Sequence, residues 1–263
     1  MEKSRRGNHR NLHHTDSKDT TKLKSWLASL LWGNWLSSRG VCRFCGGIFS
    51  KGNMRRHIDS CRERKMQNPA AGRTKFFHIV VDAEGAPEYW LHLDVRADSK
   101  LEDLDRFLRE IWLECCGHLS AFTIDGELYY CAAYMEVPNE PTDKSMDFRL
   151  EEVVKPGTKF KHEYDFGTTT TLRLRVASER IGRWRRKPIL LMARNLPPTI
   201  KCDVCGADAT KACTSCTLSD WGFSWLCDRC AATHNCGQEW FLPVVNSPRT
   251  GVCGYTGSPN PLF

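Results

Sequence analysis

The chain has 263 residues, 41% of them hydrophobic and 26% charged, with a formal net charge of +7 and fourteen cysteines. That length suits one good core with small modules attached, and no apolar run approaches the ~20 residues of a membrane-spanning helix, so no membrane partner is expected. The opening stretch lacks the apolar segment of a secretory signal, so the cysteines are expected to serve metal in a reducing, cytoplasmic setting rather than disulfides.

Charge is unevenly spread. Residues 1–76 hold 17 Lys+Arg against 5 Asp+Glu, residues 77–199 hold 17 against 21, and residues 200–263 hold 4 against 5. Any polyanionic partner should therefore meet the N-terminal third first. Residues 1–20 are polar and read as a disordered tail. Leu23, Trp26, Leu27, Leu30 and Leu31 then recur at helical spacing, predicting a short amphipathic helix over 21–32 that ends at Gly33.

Residues 40–66 carry the first metal signature: Cys42-x2-Cys45, eleven residues, then His57-x3-Cys61. A Cys-x-x-Cys turn aims two thiolates at one centre, and ligands at i and i+4 share a helical face. The pattern predicts a ββα zinc finger with a final Cys, its hairpin knuckle followed by a helix over 51–64 and a small core of Phe49 and Met54. If it docks as such fingers do, Ser50, Asn53 and Arg56 face base edges, while Arg55, Arg62, Arg64 and Lys65 serve phosphates.

A linker around Asn68-Pro69-Ala70-Ala71-Gly72 leads into the middle domain, residues 75–198. Phe76–Val81 and Tyr89–Val95 alternate as a hairpin. Leu101, Leu104, Phe107, Leu108, Ile111 and Trp112 mark one face of a helix over 101–116. Ala121–Ile124 and Glu127–Cys131 flank Asp125-Gly126, a strong hairpin signal. Residues 132–147 read as polar loop and 148–154 as a short helix stopped by Pro156-Gly157. Lys159–Asp165 and Thr170–Val176 read as two more strands, and Pro188–Met192 as a last apolar stretch. Hairpin connections imply antiparallel pairing, so the expected class is α+β: a mostly antiparallel sheet with a packed helix, plus two small zinc-stabilised modules.

The second module, 199–263, holds Cys202, Cys205, Cys213, Cys216, Cys227, Cys230, His234 and Cys236. Eight ligands make two tetrahedra, and three zinc ions are expected in the chain. Interleaving is favoured, with Cys202, Cys205, Cys227 and Cys230 on one ion and Cys213, Cys216, His234 and Cys236 on the other, because it ties distant segments of a core-poor chain together. Cys253 is an alternative eighth ligand. Cys115, Cys116 and Cys131 lack pair spacing and read as buried, inert thiols.

Three stretches of the middle domain carry a family resemblance: Tyr89-Trp90-Leu91-His92-Leu93-Asp94-Val95, the segment from Leu104 through Gly117-His118-Leu119-Ser120-Ala121-Phe122, and Phe160-Lys161-His162-Glu163-Tyr164-Asp165-Phe166-Gly167. They resemble the plasmid pRiA4b ORF-three-like family, found on bacterial plasmids, insertion elements and chromosomes. The family motif continues after Asp165-Phe166-Gly167 with Asp and then Trp, where this chain has Thr168 and Thr170, which puts an acidic role at that turn in doubt. The resemblance implies the fold of about half the chain and carries no activity. The spacing of the C-terminal cysteines looks like a B-box, which would imply a protein partner.

No nucleophile elbow, phosphate loop or dinucleotide-binding glycine pattern occurs, and no small-molecule substrate is expected. Asp165 is the one candidate acid or base, against a structural reading in which it accepts backbone N–H bonds while Gly167 takes a positive φ. His92 and His162 read as structural and His118 as a helix C-terminal cap. The basic run Arg180–Lys187 around Trp184 suits either phosphates or a solvated loop. Three functions follow: a non-enzymatic zinc protein contacting DNA or RNA through its finger, a protein–protein adaptor acting through the C-terminal module, or an enzyme using Asp165.

Overall fold

The computed structural model describes residues 38–67, 72–135, 143–216 and 224–258. The expected N-terminal tail and the helix over 21–32 lie outside them. Among the described residues, chain order runs β1 (Arg39–Cys42), β2 (Ile48–Ser50), α1 (Lys51–Ser60), α2 (Arg62–Gln67), β3 (Thr74–Ala83), β4 (Trp90–Arg96) and α3 (Leu101–Leu108). A π-helical turn, Arg109–Leu113, continues α3. There follow β5 (Ser120–Ile124), β6 (Glu127–Tyr130), α4 (Ala132–Met135), β7 (Lys144–Ser145), α5 (Leu150–Val153), β8 (Lys159–Tyr164), β9 (Thr170–Gly182) and β10 (Ile189–Asn195). The C-terminal part adds β11 (Lys211–Cys213), β12 (Ser224–Leu226), α6 (Asp228–Ala232) and β13 (Phe241–Pro243).

Ten strands form one sheet in the order β2-β1-β10-β4-β3-β9-β8-β5-β6-β7, and β12-β11-β13 form a second. All pairs are antiparallel except the short β6–β7 contact. The class is α+β. Asp125 (φ 49°) and Gly126 (φ 87°) both take positive φ, as a tight two-residue hairpin between β5 and β6 requires. The predicted helix over 101–116 stops at Leu113, because Glu114 is already extended.

The main sheet is buried on both faces. On one, Leu101, Leu104, Leu108, Ile111 and Trp112 pack against Ile79, Leu91, Leu93, Leu172, Leu174 and their neighbours. On the other, Trp90, Met192 and Ala193 cluster with Met54, Ile58, Cys42 and Cys61 of the finger. This is why β3 and β4 are buried almost throughout instead of alternating. The finger is part of the sheet: β1 pairs with β10, Gly40 opposite Asn195 and Cys42 opposite Ala193. Gly40 permits the approach, since a Cβ there would lie 2.3 Å from both the Trp90 ring and the Arg194 carbonyl oxygen. The segment 40–66 is therefore continuous in packing with the domain that follows it.

The basic run also differs from a solvated loop. β9 continues through Gly182, and Arg180 and Arg185 both bind Asp94, whose side chain is fully buried. Both guanidinium groups stack on Phe76, at 4.4 and 4.5 Å. Arg183 and Trp184 remain exposed.

His78 and His92 meet across β3 and β4, His78 Nε2 lying 2.8 Å from His92 Nδ1. Burial lowers the His78 pKa to about 3 and holds His92 well below its ordinary range. Both are neutral in the folded protein and would be charged when unfolded below pH 6.5, so the unfolded state binds more protons and stability falls as the pH drops. Between pH 7 and 5 His78 alone should remove about 2 kcal/mol. Urea unfolding at both pH values should show a shallower loss in the His78→Phe/His92→Leu variant than in wild type. Equal losses would refute a neutral pair.

Candidate metal centres

Each centre starts from a local turn. In the finger, Cys42 ends β1, Gly46 takes φ 71°, and Gly46 N–H donates to the Cys42 carbonyl at 2.8 Å. The turn after Cys202 repeats this, with Gly206 at φ 72° and its N–H on the Cys202 carbonyl at 2.9 Å. Such turns aim paired thiolates at one point. The helix α1 supplies His57, stacked on Phe49 at 3.8 Å, and Cys61 follows its end. In the C-terminal part Cys227 precedes α6 and Cys230 lies on it, while Cys213 ends β11.

These elements bring together Cys42, Cys45, His57 and Cys61; Cys202, Cys205, Cys227 and Cys230; and Cys213, Cys216, His234 and Cys236. Within each set all ligand atoms lie within 4.8 Å of one another. The C-terminal pairs are thus interleaved, and Cys236 joins the second set while Cys253 does not. A zinc ion with ~2.3 Å bonds to sulfur in a tetrahedron sets its sulfurs about 3.8 Å apart. Cys205 and Cys227 are 3.6 Å apart, as are Cys213 and Cys216. His57 Nε2 lies 3.3 Å from Cys45 Sγ, and His234 Nε2 3.0 Å from Cys216 Sγ. Sulfur and imidazole donors at this spacing suit a tetrahedral, thiophilic metal.

The electrostatics also favour a cation. Burial pushes the Cys42 and Cys213 thiols up to about 11, and contact with Cys205 pushes Cys230 up to about 12. Burial acts in the same direction on Cys202, but the backbone N–H groups of Cys227, Cys205 and Val204 outweigh it and carry the thiol down to about 6. Four crowded sulfurs cannot all ionise without a positive charge among them.

The finger's proposed contact residues divide into two groups. Asn53, Arg56, Arg62 and Lys65 are exposed, and Ser50 is half-buried at the start of α1. Arg55 instead donates to the Ala177 carbonyl at 3.0 Å, and Arg64, half-buried, donates to the Ile58 carbonyl at 3.2 Å. Arg55 thus ties the finger to β9 of the sheet, whereas the Arg64 bond stays within the finger, from α2 to α1. In the middle domain Arg185 is likewise committed to Asp94.

Asp165 is a structural anion. The N–H groups of Gly167 and Thr168 donate to Oδ1 at 3.1 and 3.2 Å, and the Thr168 hydroxyl and Arg249 Nη2 donate to Oδ2 at 2.6 and 2.5 Å. Burial works against ionisation, but these donors outweigh it and hold the carboxyl well below the usual range. The positive φ falls on Asp165 itself (66°), not on Gly167, and Phe166 is exposed while Tyr164 is buried. His162 Nε2 lies 2.7 Å from Asp105 Oδ1, which also accepts from Ser120 and sits beside Arg109. With His162 fully buried, that network cannot reach a substrate.

Sequence spacing missed a fourth cluster: Cys115, Cys116, His118 and Cys253. Cys116 is exposed and Cys115 half-buried, so neither is the inert buried thiol expected of it, whereas Cys131 is buried. His118 caps no helix; it lies between Cys116 and Cys253.

Residues 76–215 match the plasmid pRiA4b ORF-3-like protein family. A crystal structure of a protein of unknown function from Methanosarcina mazei Go1 is 19% identical over 43% of this chain, with a TM-score of 0.35; the chain spans 65% of that protein's length. Among curated proteins none matches. With the match extending over more than half its length, this chain belongs to the plasmid pRiA4b ORF-3-like family.

Proposed function

We propose that this is a non-enzymatic zinc protein that contacts nucleic acid through the outer face of its finger helix and the basic residues around it. Zinc in the three foreseen clusters would supply crosslinks: four protein ligands per ion leave no open position for substrate. The observation that carries the reading is that Arg55 holds the helix to the sheet and Arg64 braces α2 against α1, while Asn53 and Arg56 on α1 and Arg62 and Lys65 on α2 keep their side chains in solvent. A rigidly docked helix with a solvent-facing basic edge suits weak, salt-sensitive phosphate contact. The excess of Lys and Arg in residues 1–76 adds to the same end of the chain.

The test is binding of wild type and an Arg56→Ala/Arg62→Ala/Lys65→Ala variant to duplex DNA and single-stranded RNA across a salt series. Wild type should bind weakly, and the variant should lose affinity on every sequence. Its log–log salt slope should shrink by about 0.9 per duplex phosphate contact removed. Indistinguishable binding, or none by wild type at low salt, ends the nucleic-acid reading.

One observation favours the adaptor reading. Half-exposed Trp240 of the C-terminal module, together with Thr214, Pro248 and Thr168–Thr171, lines an open cavity of about 680 Å³. Exposed tryptophans beside concave surfaces are common anchors in protein interfaces.

A further inference from the structure

We infer that Cys115, Cys116, His118 and Cys253 form a fourth zinc site that clamps the C-terminal segment onto the family domain. None of the three foreseen centres supplies a ligand to it. The distances are those of a coordination sphere. Cys116 Sγ lies 3.7 Å from Cys115 Sγ and 3.8 Å from Cys253 Sγ, against the about 3.8 Å edge of a zinc–thiolate tetrahedron. His118 Nε2 lies 3.0 Å from Cys116 Sγ and 3.1 Å from Cys253 Sγ, matching the His–Cys spacing of the second C-terminal set. All four donor atoms fall within 4.8 Å of one another.

The surrounding structure is organised toward that point. The C-terminal segment is anchored independently: Arg194 and Asn195 bind Asn246, and Ser247 Oγ donates to the Trp112 carbonyl. Cys253 then takes φ 48°, a conformation that costs a non-glycine residue energy, between Gly251 (φ 80°) and Gly254 (φ 68°). That turn presents its sulfur to His118. On the opposite side Gly117, at φ 79°, reverses the chain so that Cys116 and His118 point the same way.

Three thiolates and one imidazole around a divalent ion leave one net negative charge, and Arg249, although it also pairs with Asp165, places Nη2 3.6 Å from Cys115 Sγ to offset part of it. Tyr164 Oη lies 3.8 Å from the same sulfur, and Asp165 Oδ2 lies 3.6 Å from His118 Nε2. The site is therefore built against the Tyr164-Asp165 corner. A Cys3His set selects a tetrahedral, thiophilic ion, and zinc is the commonest. The donors are half-buried to exposed, so this ion should exchange faster than those of the other centres.

Native mass spectrometry of the reduced, full-length protein decides the matter. Wild type should carry one zinc per cluster, four in all. Cys253→Ser and Cys116→Ser should each carry one fewer, with near-UV circular dichroism preserved because both side chains are exposed. Cys131→Ser, outside the cluster, should keep the full complement. Iodoacetamide should label Cys116 and Cys253 only after a brief chelator treatment that leaves the other ions bound. A wild-type count of three, unchanged by Cys253→Ser, overturns the fourth site and leaves the other centres standing. A Cys116–Cys253 disulfide in protein purified without oxidant also overturns it. Loss of metal from the other centres alone sinks the zinc reading above and supports this one.

Discussion

Cys202→Ser should cost the protein one zinc ion and loosen the part of the C-terminal module which that ion crosslinks, the largest effect expected of any single substitution. Structural zinc contributes on the order of 10–16 kcal/mol of apparent binding free energy in finger peptides at neutral pH. Among the described residues the apolar core here is little more than Leu226, Ala231, Phe241 and the ligand cysteines themselves, so the ions are expected to supply most of what holds these strands together. Interleaving makes the prediction specific. Because Cys202 and Cys227 share one set, adding Cys227→Ser to Cys202→Ser should remove no further metal. Adding Cys213→Ser should remove a second ion, since Cys213 belongs to the other set. Metal counts that pair Cys202 with Cys213 would falsify the assignment. Limited proteolysis should cut within the module while sparing the middle domain, whose core is independent of these ligands. The finger should respond differently: with its ion removed, Trp90 and Met192 lose their cover, and tryptophan emission should shift to the red.

Arg249→Leu should destabilise the protein by about 3–5 kcal/mol, the usual range when one partner of a buried ion pair is deleted. Arg249 is fully buried. Nη1 donates to the Thr168 carbonyl and to Thr170 Oγ1, both at 3.0 Å, and Nη2 donates to Asp165. The guanidinium lies 4.8 Å from the centre of the Tyr164 ring. Without it, the Asp165 carboxylate keeps its local turn donors and the neighbouring His118 but loses its cation, and the C-terminal segment loses a fully buried contact with the family domain. Asp165→Asn in the Arg249→Leu background should recover part of the loss, because the stranded charge is gone. A change below about 1 kcal/mol for Arg249→Leu would show that the pair contributes no more than an exposed one.

Much of this architecture was legible in the residues. The Cys-x-x-Cys pairs define their own geometry within four positions, so the cysteines and histidines of three clusters could be named without a fold. Asp125-Gly126 fixed a hairpin for the same reason, both residues tolerating positive φ. The strands of the middle domain and the apolar face of α3 followed from periodicity. Their limits were less visible: β9 runs to Gly182 because Arg180, whose basic run suits either phosphates or a solvated loop by sequence, has a buried acid to meet in Asp94.

What the sequence by itself determined was chemistry held within short stretches: metal donors, turns, alternating strands and a basic N-terminal third. Only the tertiary structure decided which segments meet. It placed β1 beside β10, turning an apparently separate finger into the cover of a sheet face, and it committed Arg55 to a carbonyl of β9 and Arg64 to one of α1. It also carried Cys253 back to Cys116 and His118, a cluster no local spacing announces. The reason is physical. A turn is specified by the few residues whose dihedral angles it constrains, whereas the closing of a long loop depends on burial summed over the whole core, which no single motif records.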